Sequence, residues 1–364
     1  VEAWLKGMKN ATVYEGHARF EGPRQVRVGD DRLEAERIFI NVGGRAAWPP
    51  GFEDSGAFTN ATMMEVDFLP EHLVVVGGSY IGLEFAQMYS RFGSEVTVIE
   101  RGSRLVKRED EDVSDAVRAI LEAEGIRFRL DATCLSGEKR GDHVAVQVDC
   151  ASGDREVVGS HLLLAVGRRP NTDDLGLETA GVEVDDRGYI RGDDELRTSV
   201  DGVWALGDCN GRGGFTHTAY NDYEIVAANL LDGDTRRVSD RILAYALFID
   251  PPLGRVGMTE RQVRESGRKA LVATRPMTRV GRAKEKGETQ GFMKILVDED
   301  SKEILGASIL GVEGDEVIHS ILDVMYARKP STVIQRAVHI HPTVSELIPT
   351  LLGDLKPLGD STTT

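Results

Sequence analysis

The chain has 364 residues, enough for two or three domains at roughly 100–200 residues each. Its 44 Lys and Arg against 60 Asp and Glu give a formal charge of −16, which argues against nucleic acid or an anionic membrane as a partner, because both need a basic footprint. With 41% hydrophobic and 29% charged residues the composition is globular, and apolar runs such as 73–76 and 162–166 have strand length, too short to span a membrane.

The first stretch, in chain order, reads as short strands at 11–14, 18–20, 25–28 and 38–42, with turns at Gly22-Pro23 and Gly29-Asp30. Gly43-Gly44-Arg45 and Pro49-Pro50 follow, and a connector runs to Pro70. The second stretch alternates: strand 73–76, helix 82–92, strand 95–99, helix 111–124 stopped by Gly125, strand 126–130. That β-α-β-α-β order predicts a parallel sheet with crossover helices. Hairpin-like strands at 144–148, 155–158 and 161–166 lead into a glycine turn at 167–171. Strand 203–206 runs into Gly207-Asp208, and a helix covers 220–231. From about Asp240 the texture changes to antiparallel strands at 243–249, 271–275, 292–297 and 304–310, with helices at 316–327 and 331–338. The polar tail 359–364 is expected to fray. The fold class is α/β followed by an α+β domain.

Cys134, Cys150 and Cys209 are 16 and 59 residues apart, so there is no Cys-x-x-Cys, zinc ribbon or disulfide framework, and a reducing, cytoplasmic compartment is expected. Glycine, at 40 residues, is above the usual ~7% and implies repeated tight turns.

The strongest local signal is GGSYIGLE at 77–84, which follows a strand and opens a helix. Gly77 permits the tight turn and Gly82 lets helix and strand approach closely. Ser79 stands where backbone comes closest to a pyrophosphate, which rests on the helix N-terminus. A dinucleotide would contact Gly77, Gly78, Ser79, Tyr80, Ile81 and Gly82. Glu100 ends the next strand 18 residues after Gly82, near the ~20 at which an acid reads a ribose 2′-hydroxyl. An acid there favours NADH, whereas Arg101 and Arg104 keep NADPH open. The same turn also suits an α/β domain that binds no nucleotide.

Four segments resemble one family, the class I pyridine nucleotide–disulfide oxidoreductases, which include glutathione reductase, lipoamide dehydrogenase and mercuric reductase. They are GGSYIGLEFA at 77–86, AVGRRPN at 165–171, VWALGD at 203–208 and HIHPTVSE at 339–346. NVGGR at 41–45 with Pro49 is similar to the family's ATG-x-x-P turn. The order of these segments matches the family over almost the whole chain, and the closest look is to a bacterial mercuric reductase-like subgroup.

The resemblance implies roles. Tyr80 matches the tyrosine that covers the flavin until nicotinamide displaces it, and Glu84 the helix glutamate that supports hydride transfer. Gly167 matches the glycine contacting the nicotinamide half. Gly43 and Gly44 belong to the first flavin-side turn, and Gly207 and Asp208 to the second, whose carboxylate accepts hydrogen bonds from the ribityl hydroxyls. Thr216 and His217 match the helix start that faces the flavin pyrimidine edge. Asp208 read by itself also suits a helix cap, and Tyr80 and Glu84 also suit packing and a surface charge.

His341 and Glu346, five residues apart across Pro342, suit a His–Glu dyad in which the carboxylate fixes the imidazole tautomer. In the family this acid–base pair is contributed across a dimer interface. His339 adds a His-x-His that also suits a metal, and a capped helix start is the bland reading; no metal site is expected.

Two family motifs are absent from the 364 residues: the GxGxxG that holds the FAD pyrophosphate, and the Cys-x4-Cys redox pair. The expectation is that both precede Val1, leaving the FAD domain short by roughly 100 residues. Cys209 is expected to be a buried core residue. No cysteine pair lies in 352–364, which argues against mercury reduction. The resulting expectation is FAD/NAD(P)-binding three-layer domains with a C-terminal α+β dimerisation domain. Residues 1–66 and 169–236 would form the incomplete FAD domain, 67–168 the NAD(P) domain and 237–358 the dimerisation domain. The function expected is hydride transfer from NAD(P)H to FAD and on to a disulfide or other small-molecule acceptor, in a homodimer. The alternatives are a catalytically inactive NAD(H)-binding dimer scaffold and a flavin-free NAD dehydrogenase.

Overall fold

The computed structural model describes residues 2–150 and 153–359. The expectation for the tail beyond residue 359 lies outside the described residues. The chain forms two units, Val1–Arg45 with Arg168–Arg241, and Ala46–Gly167 with Ile242–Thr364.

The first unit opens with the antiparallel strands Ala18–Gly22, Gln25–Val28 and Asp31–Glu34. The second turn is the two-residue Gly29-Asp30, where Gly29 takes a positive φ of 60° that a tight hairpin turn favours. Strand Ile38–Ile40 pairs in parallel with Val203–Ala205. The alternation of the latter is functional in packing. Val203 and Ala205 join Phe20, Ile40 and Cys209 in one core, while Trp204 and Leu206 join Ile225 and Val226 of helix Thr216–Ala227 in another. Residues 11–14 do not form the expected strand; all four are exposed, and β propensity without a face to bury does not hold a strand.

The second unit contains a four-stranded parallel sheet in the order His161–Leu164, His72–Val76, Glu95–Ile99, Arg127–Arg129. Helices Tyr80–Phe92 and Glu111–Ala123 are the crossovers, as the alternating pattern predicts. The first buries Leu83, Ala86 and Tyr89 and stops at Gly93, whose φ of 112° is costly for any other residue. An antiparallel sheet follows, Ala132–Arg140, His143–Cys150 and Glu156–Gly159. A six-stranded antiparallel sheet closes the unit, in the order Ala244–Leu247, Leu253–Gly257, Ile304–Leu310, Phe292–Asp298, Ala270–Pro276, Lys356–Pro357. Helix Gly314–Tyr326 packs on it through Val317, Ile318 and Ile321. Among the described residues no helix is long and apolar enough to cross a membrane.

Candidate functional site

Gly77 ends strand His72–Val76 with a φ of 117°, and a Cβ there would lie 2.3 Å from the Ala165 carbonyl oxygen. A Cβ at Gly82 would lie 2.0 Å from the Gly77 carbonyl oxygen. Both contacts are far inside van der Waals distance, so the turn and the first helical turn close only because these residues are glycines. Ser79 is the N-cap of helix Tyr80–Phe92, but its hydroxyl makes no capping bond. The first-turn amides therefore have no such competitor for an anion.

Glu100 is fixed at the same turn. Its two carboxylate oxygens accept from the amides of Gly78 and Gly102, each at 2.8 Å. The pair of amides orients a negative charge beside the glycine turn. Arg104 lies 3.4 Å from Glu111. Gly167, with a φ of 123°, has open space where a Cβ would stand.

Tyr80 and Glu84 are one helical turn apart and share a face. The Tyr80 ring stands edge-on to Tyr245, with centroids 5.4 Å apart. Glu84 Oε1 accepts from the Phe248 amide at 2.9 Å, and burial pushes this carboxyl up despite that bond. Ile81 is half-buried beside them.

In the same unit, His341 Nδ1 lies 2.9 and 3.1 Å from the two carboxylate oxygens of Glu346. The Glu346 amide donates to Thr343 Oγ1, which itself donates to the Ile340 carbonyl, so the short turn presets the pair. His341 is 79% exposed and Glu346 17%. His339 turns instead to the Ala337 carbonyl at 3.2 Å.

The first unit gathers the flavin-side candidates. Gly207, at a φ of 70°, opens the short 3-10 helix Gly207–Asn210. Its amide donates to the buried Asp222 carboxylate at 2.8 Å, which also accepts from Asn210 Nδ2 at 2.8 Å and from Arg241. A Cβ on Gly207 would come within 3.2 Å of Ala219, in the first turn of helix Thr216–Ala227. Asp208 is 3.0 Å from Arg168 Nη2, and Gly44 lies close enough that a Cβ would stand 3.6 Å from Asp208 Cβ. Gly43 has open space at its Cβ position. Thr216 and His217 begin the helix and are exposed, with the His217 ring stacked on Phe215 at 5.2 Å. Asp208 lies inside this short helix, whose N-cap is Leu206.

Cys209 is fully buried, and its thiol is pushed up to about 11, mainly by burial. Burial likewise pushes Cys134 up to about 12. Neither is a thiolate nucleophile at neutral pH.

Both nucleotide groups pass a test on their own geometry. The glycine clearances at 77 and 82, with Glu100 clamped at the turn, suit a dinucleotide. The partly exposed Asp208 between a bare Gly43-Gly44 segment and a helix start suits the ribityl end of a flavin.

Sequence reasoning missed Asp222, Tyr245, Glu109 and Arg255. Asp222 gives no motif signal. Arg255 gives one: a charged residue inside the apolar, glycine-flanked run 253–257. Asp110, Asp112 and Glu260 also converge, but the Lys294 ammonium already stands among them, 2.7–3.0 Å from all three.

Residues 2–222 match the family Pyridine nucleotide-disulphide oxidoreductase, and residues 243–352 match its dimerisation domain. The chain is 37% identical over 360 residues to the probable pyridine nucleotide-disulfide oxidoreductase RclA of Escherichia coli (strain K12), covering 97% of this chain and 81% of that protein. It is 33% identical over 345 residues to dihydrolipoyl dehydrogenase of Haloferax volcanii, covering 92% and 72% respectively. Among solved structures, the HOCl-induced flavoprotein disulfide reductase RclA from Escherichia coli superposes with a TM-score of 0.90 at 36% identity, over 96% of this chain and 80% of that one.

Proposed function

The chain belongs to the pyridine nucleotide–disulphide oxidoreductase family, and from that premise we propose how its residues divide the work. It is an oxidoreductase of the flavoprotein disulfide reductase type, using a reduced pyridine nucleotide.

The turn at 77–82 binds the dinucleotide, with the pyrophosphate on the first-turn amides of helix Tyr80–Phe92. Glu100 takes the adenosine ribose through its remaining lone pairs and repels a 2′-phosphate, so NADH is preferred over NADPH. Gly167 leaves room for the nicotinamide half. Asp208 holds the ribityl hydroxyls of FAD, with Gly43, Gly44 and Gly207 as its backbone wall and Thr216 and His217 at the pyrimidine edge. FAD, when bound, supplies the two-electron acceptor that links nicotinamide to a disulfide or other small acceptor. His341 and Glu346 move a proton at imidazole Nε2, because the Glu346 carboxylate accepts a hydrogen bond from Nδ1–H and so fixes the tautomer. On this reading 67–168 serves the nucleotide, 1–66 with 169–236 the flavin, and 237–358 a homodimer interface, in a cytoplasmic enzyme.

The observation that carries the reading is Glu100 clamped by the Gly78 and Gly102 amides beside a turn that only glycine at 82 can close. The purified chain, incubated with FAD and freed of unbound flavin by gel filtration, should be yellow and bleach anaerobically with NADH. A chain that stays colourless yet binds NADH would instead select the inactive scaffold, and one that binds neither would overturn both.

A further inference from the structure

Gly78 is held from both sides. Its amide donates to Glu100 Oε2 at 2.8 Å, and its carbonyl accepts from the Val106 amide at 2.9 Å. The carbonyl on the other side of the Val106 amide, that of Leu105, accepts from the Ser114 hydroxyl at 2.7 Å. Ser114 stands in the first turn of helix Glu111–Ala123, and Ser114, Leu105 and Val106 are all buried. Both peptides are trans, so in each the N–H points opposite to the carbonyl. The bonds therefore run in one direction: from the Ser114 hydroxyl across the Leu105–Val106 peptide, then across the Gly78–Ser79 peptide to the Ser79 N–H. Ser79 is the middle position of the turn, where backbone comes closest to a pyrophosphate. Hydrogen bonds in such a chain polarise one another, so a donor at its start strengthens the N–H at its end. Val106 takes part at a φ of 38°, a region that a β-branched residue resists, so its neighbours impose the geometry. Leu105 packs on the turn so closely that a Cβ on Gly78 would lie 2.7 Å from its Cδ2. The Glu109 amide donates to the Val106 carbonyl at 2.8 Å, and the Glu109 carboxylate accepts from Arg255 and from the Tyr245 hydroxyl. Glu109 and Arg255 have no side-chain exposure, so the far end of the loop is fastened to the six-stranded sheet.

We propose that Ser114 is a positioning residue for the dinucleotide: its buried hydroxyl, acting through the Leu105–Val106 and Gly78–Ser79 peptides, aims and polarises the Ser79 N–H toward the pyrophosphate. The proposal rests on the reading of residues 77–82 as the dinucleotide turn. The pyrophosphate is common to NADH, NADPH and ADP-ribose, so the chain of bonds supports all three alike. Glu100 grips the Gly78 amide rather than the carbonyl, so discrimination at the ribose stays outside this chain.

The test is a set of affinities on the full chain, NADH and NADPH by nicotinamide fluorescence and ADP-ribose by calorimetry. Ser114→Ala removes the hydroxyl and keeps a good helix former. All three ligands should bind about threefold more weakly, within the weight of one neutral hydrogen bond, and the ratio of NADPH to NADH affinity should not move. An amide-to-ester exchange at Val106 keeps the side chain, removes the N–H that donates to Gly78 and should cost about tenfold for each ligand. Ser114→Ala added to the ester should then cost nothing more, because the chain is already cut. Unchanged affinities in Ser114→Ala, a shifted NADPH-to-NADH ratio, or additive losses in the double variant would overturn the proposal while leaving the turn's reading in place. Failure of the unsubstituted chain to bind any of the three ligands would remove that reading and the proposal together.

Discussion

Glu346 holds the imidazole of His341 through Nδ1, at 2.9 and 3.1 Å from its two carboxylate oxygens, which on the proposed reading leaves Nε2 to exchange the proton. Glu346→Gln keeps the shape and removes the charge that stabilises an imidazolium. With the flavin-loaded chain, NADH oxidation by a proton-requiring acceptor such as a quinone should fall by roughly 10²–10⁴. Oxidation by ferricyanide, which takes electrons alone, should not change. Equal losses with both acceptors would remove His341 from acid–base work.

Glu100 accepts from the Gly78 and Gly102 amides, and on the proposed reading it also reads the ribose. Glu100→Gln preserves the bulk but loses the charge facing a 2′-phosphate. The ratio of KM for NADPH to KM for NADH should drop about tenfold, ~1.4 kcal/mol of lost discrimination. Steady-state kinetics with both nucleotides decides it: an unchanged ratio assigns the preference elsewhere, Arg101 being the next residue to replace.

The parallel sheet and its two crossover helices were legible because their signals are local: strand 95–99 is found where the β-branched run places it, and helix Glu111–Ala123 ends one residue before the expected 124. Strand Ala132–Arg140 was not legible. A Cβ on its Gly137 would lie 2.6 Å from the Phe52 ring, so a residue far away in sequence dictates the glycine that breaks the alternation. Strand Leu253–Gly257 hides for a related reason. A Cβ at Gly254 would collide with the Gly314 carbonyl at 2.4 Å, and Arg255 is charged yet fully buried because Glu109 neutralises it. Of the candidate site, the 77–82 turn and the His341–Glu346 spacing could be read from the residues, whereas Asp208 was singled out through the family resemblance. The supports Asp222, Glu109 and Tyr245 could not be read, since each is recognised only by the partner it meets.

Gly82→Ala tests how tightly the turn is closed. The added methyl would stand 2.0 Å from the Gly77 carbonyl oxygen, backbone that can give only by moving helix Tyr80–Phe92 off its strand. Overpacking of this kind costs about 1–3 kcal/mol. Urea unfolding should show that loss, and NADH and ADP-ribose should both bind at least tenfold more weakly, because the helix N-terminus has shifted from the pyrophosphate. A variant of normal stability that retains ADP-ribose affinity would show that the close approach is not what shapes the site.

Lys294 is buried with Asp110, Asp112 and Glu260 around its ammonium, and this cluster sets an acid limit on the fold. Burial alone would raise the Asp110 carboxyl, but Lys294, the Glu260 amide and Arg255 together hold it below the ordinary carboxylate range. A folded value below the unfolded one means that Asp110 contributes its stability fully above about pH 3.9 and loses it as the pH falls through the lowered value. Urea stability should therefore decline below about pH 4. Lys294→Met reverses the sense: three carboxylates lose their cation, their ionised forms repel, and stability at pH 7 should fall by about 3–5 kcal/mol. Lowering the pH from 7 to 5 should then restore part of it by protonating one carboxylate, whereas the unsubstituted chain should not gain over that range. Urea midpoints at pH 7 and pH 5 for both proteins measure this. If the variant matches the original at pH 7, or gains nothing at pH 5, Lys294 is not what keeps these carboxylates charged.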